Sequence, residues 1–66
     1  MCISKRLKEL RTVSGFSQEK LAELLDVSRQ TISSWENERS YPDVHNLIML
    51  CDIYSVSLDD LMKGDI

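Results

Sequence analysis

No apolar stretch in this 66-residue chain is longer than the five residues at 47–51. A bilayer-spanning helix needs about 20 such residues, and a secretion signal needs a longer apolar core than this, so neither is expected. Cysteine is equally scarce. Cys2 and Cys51 stand 49 positions apart with one histidine, His45, between them. That spacing is neither a disulfide framework nor a set of metal ligands, and the expectation is a reduced, cytoplasmic compartment with no metal and no cofactor. With two glycines and one proline the chain has no glycine-rich phosphate loop, and no G-x-S-x-G turn exposes any of its nine serines as a nucleophile. Ser17, Ser28 and Ser57 are better explained as helix caps. No nucleophile, base and orienting group converge, so an enzyme is not expected.

What is present has ordinary globular proportions, 42% hydrophobic and 29% charged, which excludes disorder and fibrous repeats. A chain of this size buries only about 60% of its unfolded surface, enough for a single domain over residues 1–66. The net charge of −3 argues, taken as a total, against nucleic acid. Its distribution is uneven. Residues 1–39 hold seven bases (Lys5, Arg6, Lys8, Arg11, Lys20, Arg29, Arg39) and six acids, whereas residues 40–66 hold Lys63 against five acids.

Hydrophobic period predicts five helices and no strand. Ile3, Leu7 and Leu10 form the stripe of the first, which Val13-Ser14-Gly15 ends. Ser17 caps a second, with Leu21, Ala22, Leu24 and Leu25 facing the core, and Asp26-Val27-Ser28 interrupts it after two turns. Ser28 caps a third. Residues from Asn37 to Ser40 read as a loop, Tyr41-Pro42 as a stop, and Asp43 as the cap of a fourth helix. That fourth helix is expected to centre the core through Val44, Leu47, Ile48, Cys51 and Tyr54. Ser57-Leu58-Asp59-Asp60 fits a capping box for a fifth, carrying Leu61 and Met62 and ended by Lys63 and Gly64. The connections are expected to be two to six residues long. His45 reads as a surface residue of a first helical turn and Cys51 as a packed thiol.

The third helix has an unusual distribution of side chains. With Arg29 at zero, helical geometry places Thr31, Ile32 and Trp35 at about 200°, 300° and 240°, which is the core side, Trp35 included. The arc from about 0° to 140° holds Arg29, Ser33, Asn37, Gln30 and Ser34, a polar strip without an acid. Two short helices joined by a three-residue turn cannot pack as an antiparallel hairpin. They cross steeply and leave one side of the second exposed.

Residues 18–37, together with Gly15-Phe16-Ser17-Gln18, Glu36-Asn37, Tyr41-Pro42 and Val56-Ser57-Leu58-Asp59, resemble the lambda-repressor-like, Cro-type helix-turn-helix domains over nearly the whole chain. Physical reasons accompany the match. Ala22 is small where a second helix crosses it closely, and Leu21, Leu25, Val27, Ile32 and Trp35 pin the pair to the bundle. The chain departs from the family at three glycine positions, where it has Asp26, Glu38 and Ser55. Glu38 is the least suited to a left-handed backbone and brings a negative charge near where phosphate would lie, so modest affinity is expected.

The resemblance implies a compact, all-α, five-helix DNA-binding domain with the helix-turn-helix at helices 2 and 3. It implies a transcriptional regulator, a repressor, binding a palindromic duplex operator as a homodimer through the major groove. Arg29, Gln30, Ser33 and Ser34 would read bases, arginine suiting the two acceptors of guanine and glutamine the edge of adenine. Gln18, Ser28, Asn37, Arg39, Ser40 and Tyr41 would contact phosphate, with loop capping as the competing role for Asn37. Arg11 and Glu36 would form a structural salt bridge. Lys5, Arg6 and Lys8 read as a solvated basic face, with phosphate contact as the alternative role. The dimer surface would involve Val56, Leu58, Met62 and Ile66. No membrane and no small-molecule ligand is implied. Two other readings stay open: an antitoxin that also binds a toxin partner, and a protein-interaction module that has lost DNA contact.

Overall fold

A computed structural model of the chain describes residues 3–62, which form α1 (Ile3–Ser14), α2 (Gln18–Leu25), α3 (Arg29–Glu36), α4 (Val44–Tyr54) and α5 (Leu58–Leu61). No strand occurs among the described residues. Four helices begin on a side chain that accepts from a backbone N–H of the first turn. Ser17 accepts from Lys20 at 3.0 Å, Ser28 from Thr31 at 3.1 Å, Asp43 from Asn46 at 2.9 Å and Ser57 from Asp60 at 3.1 Å. Each bond satisfies a donor that the helix itself leaves without a partner.

The first four helices also end alike. After each, one residue turns left-handed: Gly15 (φ 80), Asp26 (φ 58), Glu38 (φ 62) and Ser55 (φ 54). The next N–H then reaches back to the last turn: Phe16 to the carbonyl of Arg11, Val27 to Ala22, Arg39 to Ser34 and Val56 to Cys51, at 2.9–3.1 Å. This is the Schellman closure, which usually seats an apolar residue against the helix it ends. Phe16, Val27 and Val56 are half-buried, whereas Arg39, after α3, is exposed. The end of α3 is thus the one closure not pinned by an apolar side chain. Three of the four left-handed residues have a Cβ, at a cost of roughly 1–2 kcal/mol each for an ordinary L-residue and less for aspartate.

Ile3, Leu7, Leu21, Ala22, Leu25, Ile32, Trp35, Leu50 and Leu61 form the core, with Leu10, Val27, Leu47, Met49, Cys51, Ile53, Tyr54, Val56 and Met62 packed on it. α2 packs on α3, α1 on both α3 and α5, and α4 on α2 and α5. Three expectations are corrected. Leu24 is 40% exposed, at the margin of the α2 stripe. On α4, Val44 and Ile48 are 73% and 55% exposed, while Leu50 is wholly buried. The run at 47–51 is apolar on every side, so its period selects no face, and packing against α2 and α5 makes the choice. The α3–α4 connection spans residues 37–43, one residue longer than expected, with Pro42 buried within it. Lys63 and Gly64, expected to end α5, lie outside the described residues.

Candidate functional site

α3 has one face that packs and one that does not. Ile32 and Trp35 are 1% and 4% exposed against α1 and α2. Arg29, Gln30 and Asn37 are exposed on the other side, with Ser33 and Ser34 half-buried between them. The acid-free strip is therefore a solvent-facing surface on a helix whose opposite side is anchored. Ser28 stands at its start, where its hydroxyl also pairs with that of Thr31 at 2.9 Å. At its end, Asn37 Nδ2 donates to the Ser33 carbonyl at 2.8 Å and to Ser33 Oγ at 3.1 Å. Both bonds hold Asn37 over the last turn of α3.

An ion pair joins this helix to α1. Arg11 Nε and Nη2 donate to Glu36 Oε2 and Oε1 at 2.7 and 3.1 Å, and Arg11 Nη1 donates to the Phe16 carbonyl at 2.9 Å. The side chains are 15% and 4% exposed. Hydrogen bonding to Glu36 pushes the Arg11 guanidinium above its ordinary range, against the opposing effect of burial. Gln18 enters the same cluster, its Nε2 donating to Glu36 Oε1 at 3.1 Å and its Oε1 accepting from Arg29 Nη1 at 3.5 Å. Sequence reasoning missed these contacts of Gln18. They link α2 to both ends of α3, and no local spacing announces them.

Tyr54 lies close enough to this cluster to sense its charges. Burial pushes its phenol up to about 12, Glu36 adding to the rise and Arg11 opposing it. Its hydroxyl has no hydrogen-bond partner among the described residues, and its ring lies 6.3 Å from that of Phe16. A phenol raised in the folded state contributes its full stability below the unfolded value of about 10 and loses it as pH climbs toward the folded value. Tyr54→Phe is therefore expected to be neutral or slightly stabilising near neutral pH and to lose less stability than wild type above pH ~10. Urea denaturation of both proteins at neutral and alkaline pH checks this. Identical losses in the two proteins would contradict it.

Arg39, Ser40 and Tyr41 are exposed after α3 and line, with Glu38, an open cleft of about 340 Å³. Glu38 thus places a carboxylate beside Arg39. Of the residues expected at a dimer surface, Leu58 is 50% exposed, Val56 and Met62 are half-buried, and Ile66 lies outside the described residues. Val44 and Ile48, four residues apart and so on one face of α4, add exposed apolar surface that the sequence reading had put inside. His45 is exposed, and Cys51 packs against the core, where burial pushes its thiol up. No cluster of His, Cys, Asp or Glu fit to hold a metal occurs among the described residues, and no helix among them is long and apolar enough to cross a membrane.

Comparison with known proteins bears on this geometry. Residues 7–61 match the family model described as helix-turn-helix. The chain is 40% identical over 65 residues to the HTH-type transcriptional activator BcrR of Enterococcus faecalis, covering 98% of this chain and 32% of that protein. It is 37% identical over 65 residues to the HTH-type transcriptional regulator ImmR of Bacillus subtilis, covering 98% and 51%. The chain thus spans from about a third to about half of these relatives. Among solved structures, the P22 c2 repressor in complex with a synthetic operator superposes with a TM-score of 0.88 at 30% identity, over 97% of each chain. SinR in complex with DNA superposes with a TM-score of 0.79 at 31% identity, over 91% of this chain and 97% of that one.

Proposed function

The chain belongs to the helix-turn-helix family with a lambda-repressor-like fold, and from that premise we propose that it is a sequence-specific regulator of transcription that binds double-stranded DNA. It acts as a repressor, as a symmetric homodimer on a palindromic operator, with α3 in the major groove. One observation carries the reading: the acid-free strip of α3 faces solvent while Ile32 and Trp35 lock the other side of the helix into the core. Arg29 and Gln30, at the N-terminal end of α3, read base edges; Ser33 and Ser34, one turn later, are short enough to let the helix approach. Ser28, Asn37, Arg39, Ser40 and Tyr41 contact the sugar-phosphate strands and fix the register. The negative total charge is compatible with this because residues 1–39, which carry the strip, hold seven bases against six acids, whereas residues 40–66 hold one base against five acids.

The P22 c2 and SinR structures, each solved with DNA, support duplex binding, and the match over 97% of the solved P22 c2 repressor chain supports repression, beside an activator relative in BcrR. Size supports the dimer. The molecule measures 27 Å in its longest direction, and half-sites in successive major grooves lie about 34 Å apart, so reading both takes two copies. Leu58, with Val56 and Met62, supplies the surface between them. In this reading residues 1–66 act as one domain in the cytoplasm, without catalysing a reaction or needing a cofactor.

Selection from a random duplex library at about 100 mM salt tests this, because phosphate contacts make binding salt-dependent and base contacts make it selective. A two-fold symmetric site is the expected outcome. No enrichment would move the assignment to a protein-interaction module.

A further inference from the structure

Among the described residues four have a left-handed backbone, and three of them, Gly15, Asp26 and Ser55, have no side chain or a short one. The fourth, Glu38 (φ 62), is the least suited to this conformation. Its backbone has little freedom to relax, because the N–H groups on either side are committed. Asn37 donates to the Ser33 carbonyl and Arg39 to the Ser34 carbonyl, both at 2.9 Å. The Glu38 Cβ is therefore held at a fixed place beyond the last turn of α3. Nothing in the fold compensates for its carboxylate. The side chain is exposed, and no hydrogen bond or ion pair reaches it among the described residues, not even from the adjacent Arg39. A helix C-terminus also disfavours negative charge, so the dipole of α3 adds to the cost. Yet Glu38 lines one open cleft with Arg39, Ser40 and Tyr41, the residues read above as contacts to the sugar-phosphate strands.

We infer that Glu38 is an affinity-limiting residue: its carboxylate repels the phosphates that Arg39, Ser40 and Tyr41 approach, and holds DNA binding below the level the rest of the surface would reach. The inference rests on the reading of those three residues as strand contacts. Phosphate contacts are the sequence-independent part of binding and the source of its salt dependence, so this is the part that Glu38 weakens. The base-reading end of α3 is out of its range. α3 has eight residues, a length of about 12 Å, more than the Debye length of ~10 Å at 0.1 M salt. With the sequence-independent part weakened, less of the protein is held on DNA that it does not read, and occupancy of a site follows its base contacts and the protein concentration.

Three substitutions separate charge from backbone. Glu38→Gln removes the charge and keeps the strained side chain; Glu38→Asp keeps the charge on a residue that tolerates the left-handed region; Glu38→Gly removes both. Each is melted beside wild type and titrated with the selected site and with one duplex of arbitrary sequence, from about 50 to 200 mM salt. Glu38→Gln and Glu38→Gly are expected to bind both duplexes about 2- to 10-fold more tightly at the low end of salt, and to lose affinity more steeply as salt rises. The ratio between the duplexes should stay as in wild type, and Glu38→Asp should bind as wild type does. Melting sorts the variants differently. Glu38→Gly is expected to melt about 4–8 °C higher and Glu38→Asp to move the same way, while Glu38→Gln stays close to wild type.

Unchanged affinity in Glu38→Gln would mean that the carboxylate stands clear of the strands, and would overturn the proposal. A gain in Glu38→Asp equal to that in Glu38→Gly would overturn it too, because backbone and not charge would then limit binding. So would a loss in Glu38→Gln confined to the selected site, which would make Glu38 a favourable contact such as an acceptor for a cytosine amino group. Should neither wild type nor any variant bind either duplex, the DNA-binding reading fails and the inference with it, whichever residue stands at position 38.

Discussion

Arg11→Ala is expected to destabilise the protein by about 3–5 kcal/mol, the typical cost of removing one partner of a buried ion pair. Glu36 would then keep a carboxylate that is 4% exposed and bonded to Gln18 alone. A domain of this size has roughly 3–10 kcal/mol in total at the usual 0.05–0.15 kcal/mol per residue, so the variant should be partly or wholly unfolded at ambient temperature. Replacing both partners, Arg11→Met with Glu36→Leu, should cost much less, because no charge is left buried without its counterpart. Thermal and urea denaturation of the two variants separate the cases. A loss below about 1 kcal/mol in Arg11→Ala would mean that the pair behaves as an exposed one and does not orient α3.

Leu50→Ala is expected to cost about 2–5 kcal/mol, whereas Ile48→Ala, two residues away, should stay within about 1 kcal/mol in the monomer. Leu50 is wholly buried and Ile48 is 55% exposed. The difference between these neighbours measures which way α4 faces. Equal losses, or the reverse order, would restore the face of Val44, Leu47, Ile48, Cys51 and Tyr54 named in the sequence reading. Should Ile48→Ala leave stability intact and weaken self-association, the exposed apolar side of α4 belongs to the dimer surface.

Features legible in the sequence were those settled by local chemistry. Ser17, Ser28, Asp43 and Ser57 cap the helices they were expected to cap, because a short oxygen before an amphipathic run has few other uses there. Asp26, Glu38 and Ser55 take the left-handed backbone that family glycines would take, so the ends of α2, α3 and α4 kept their geometry without their usual residue. The two faces of α3 were also legible, since Ile32 and Trp35 share one side with Thr31 while Arg29, Gln30, Ser33, Ser34 and Asn37 occupy the other. α4 was not, because an apolar run with no polar side carries no phase. Nor was the place of Gln18, whose partners Arg29 and Glu36 lie 11 and 18 residues away. Contacts of that kind depend on how helices cross, and they became visible only with the three helices in place.

The central claim is that α3 reads duplex DNA through the residues at its N-terminal end. Measuring base preference at every position of the selected site, for wild type beside Arg29→Ala, tests it most directly. Each bidentate base contact is worth about 1–3 kcal/mol of discrimination. The account predicts that Arg29→Ala loses preference at one position in each half of a palindromic site and keeps it elsewhere. Uniform weakening at all positions, or no change, would contradict it, because Arg29 would then be a general electrostatic contact or no contact at all.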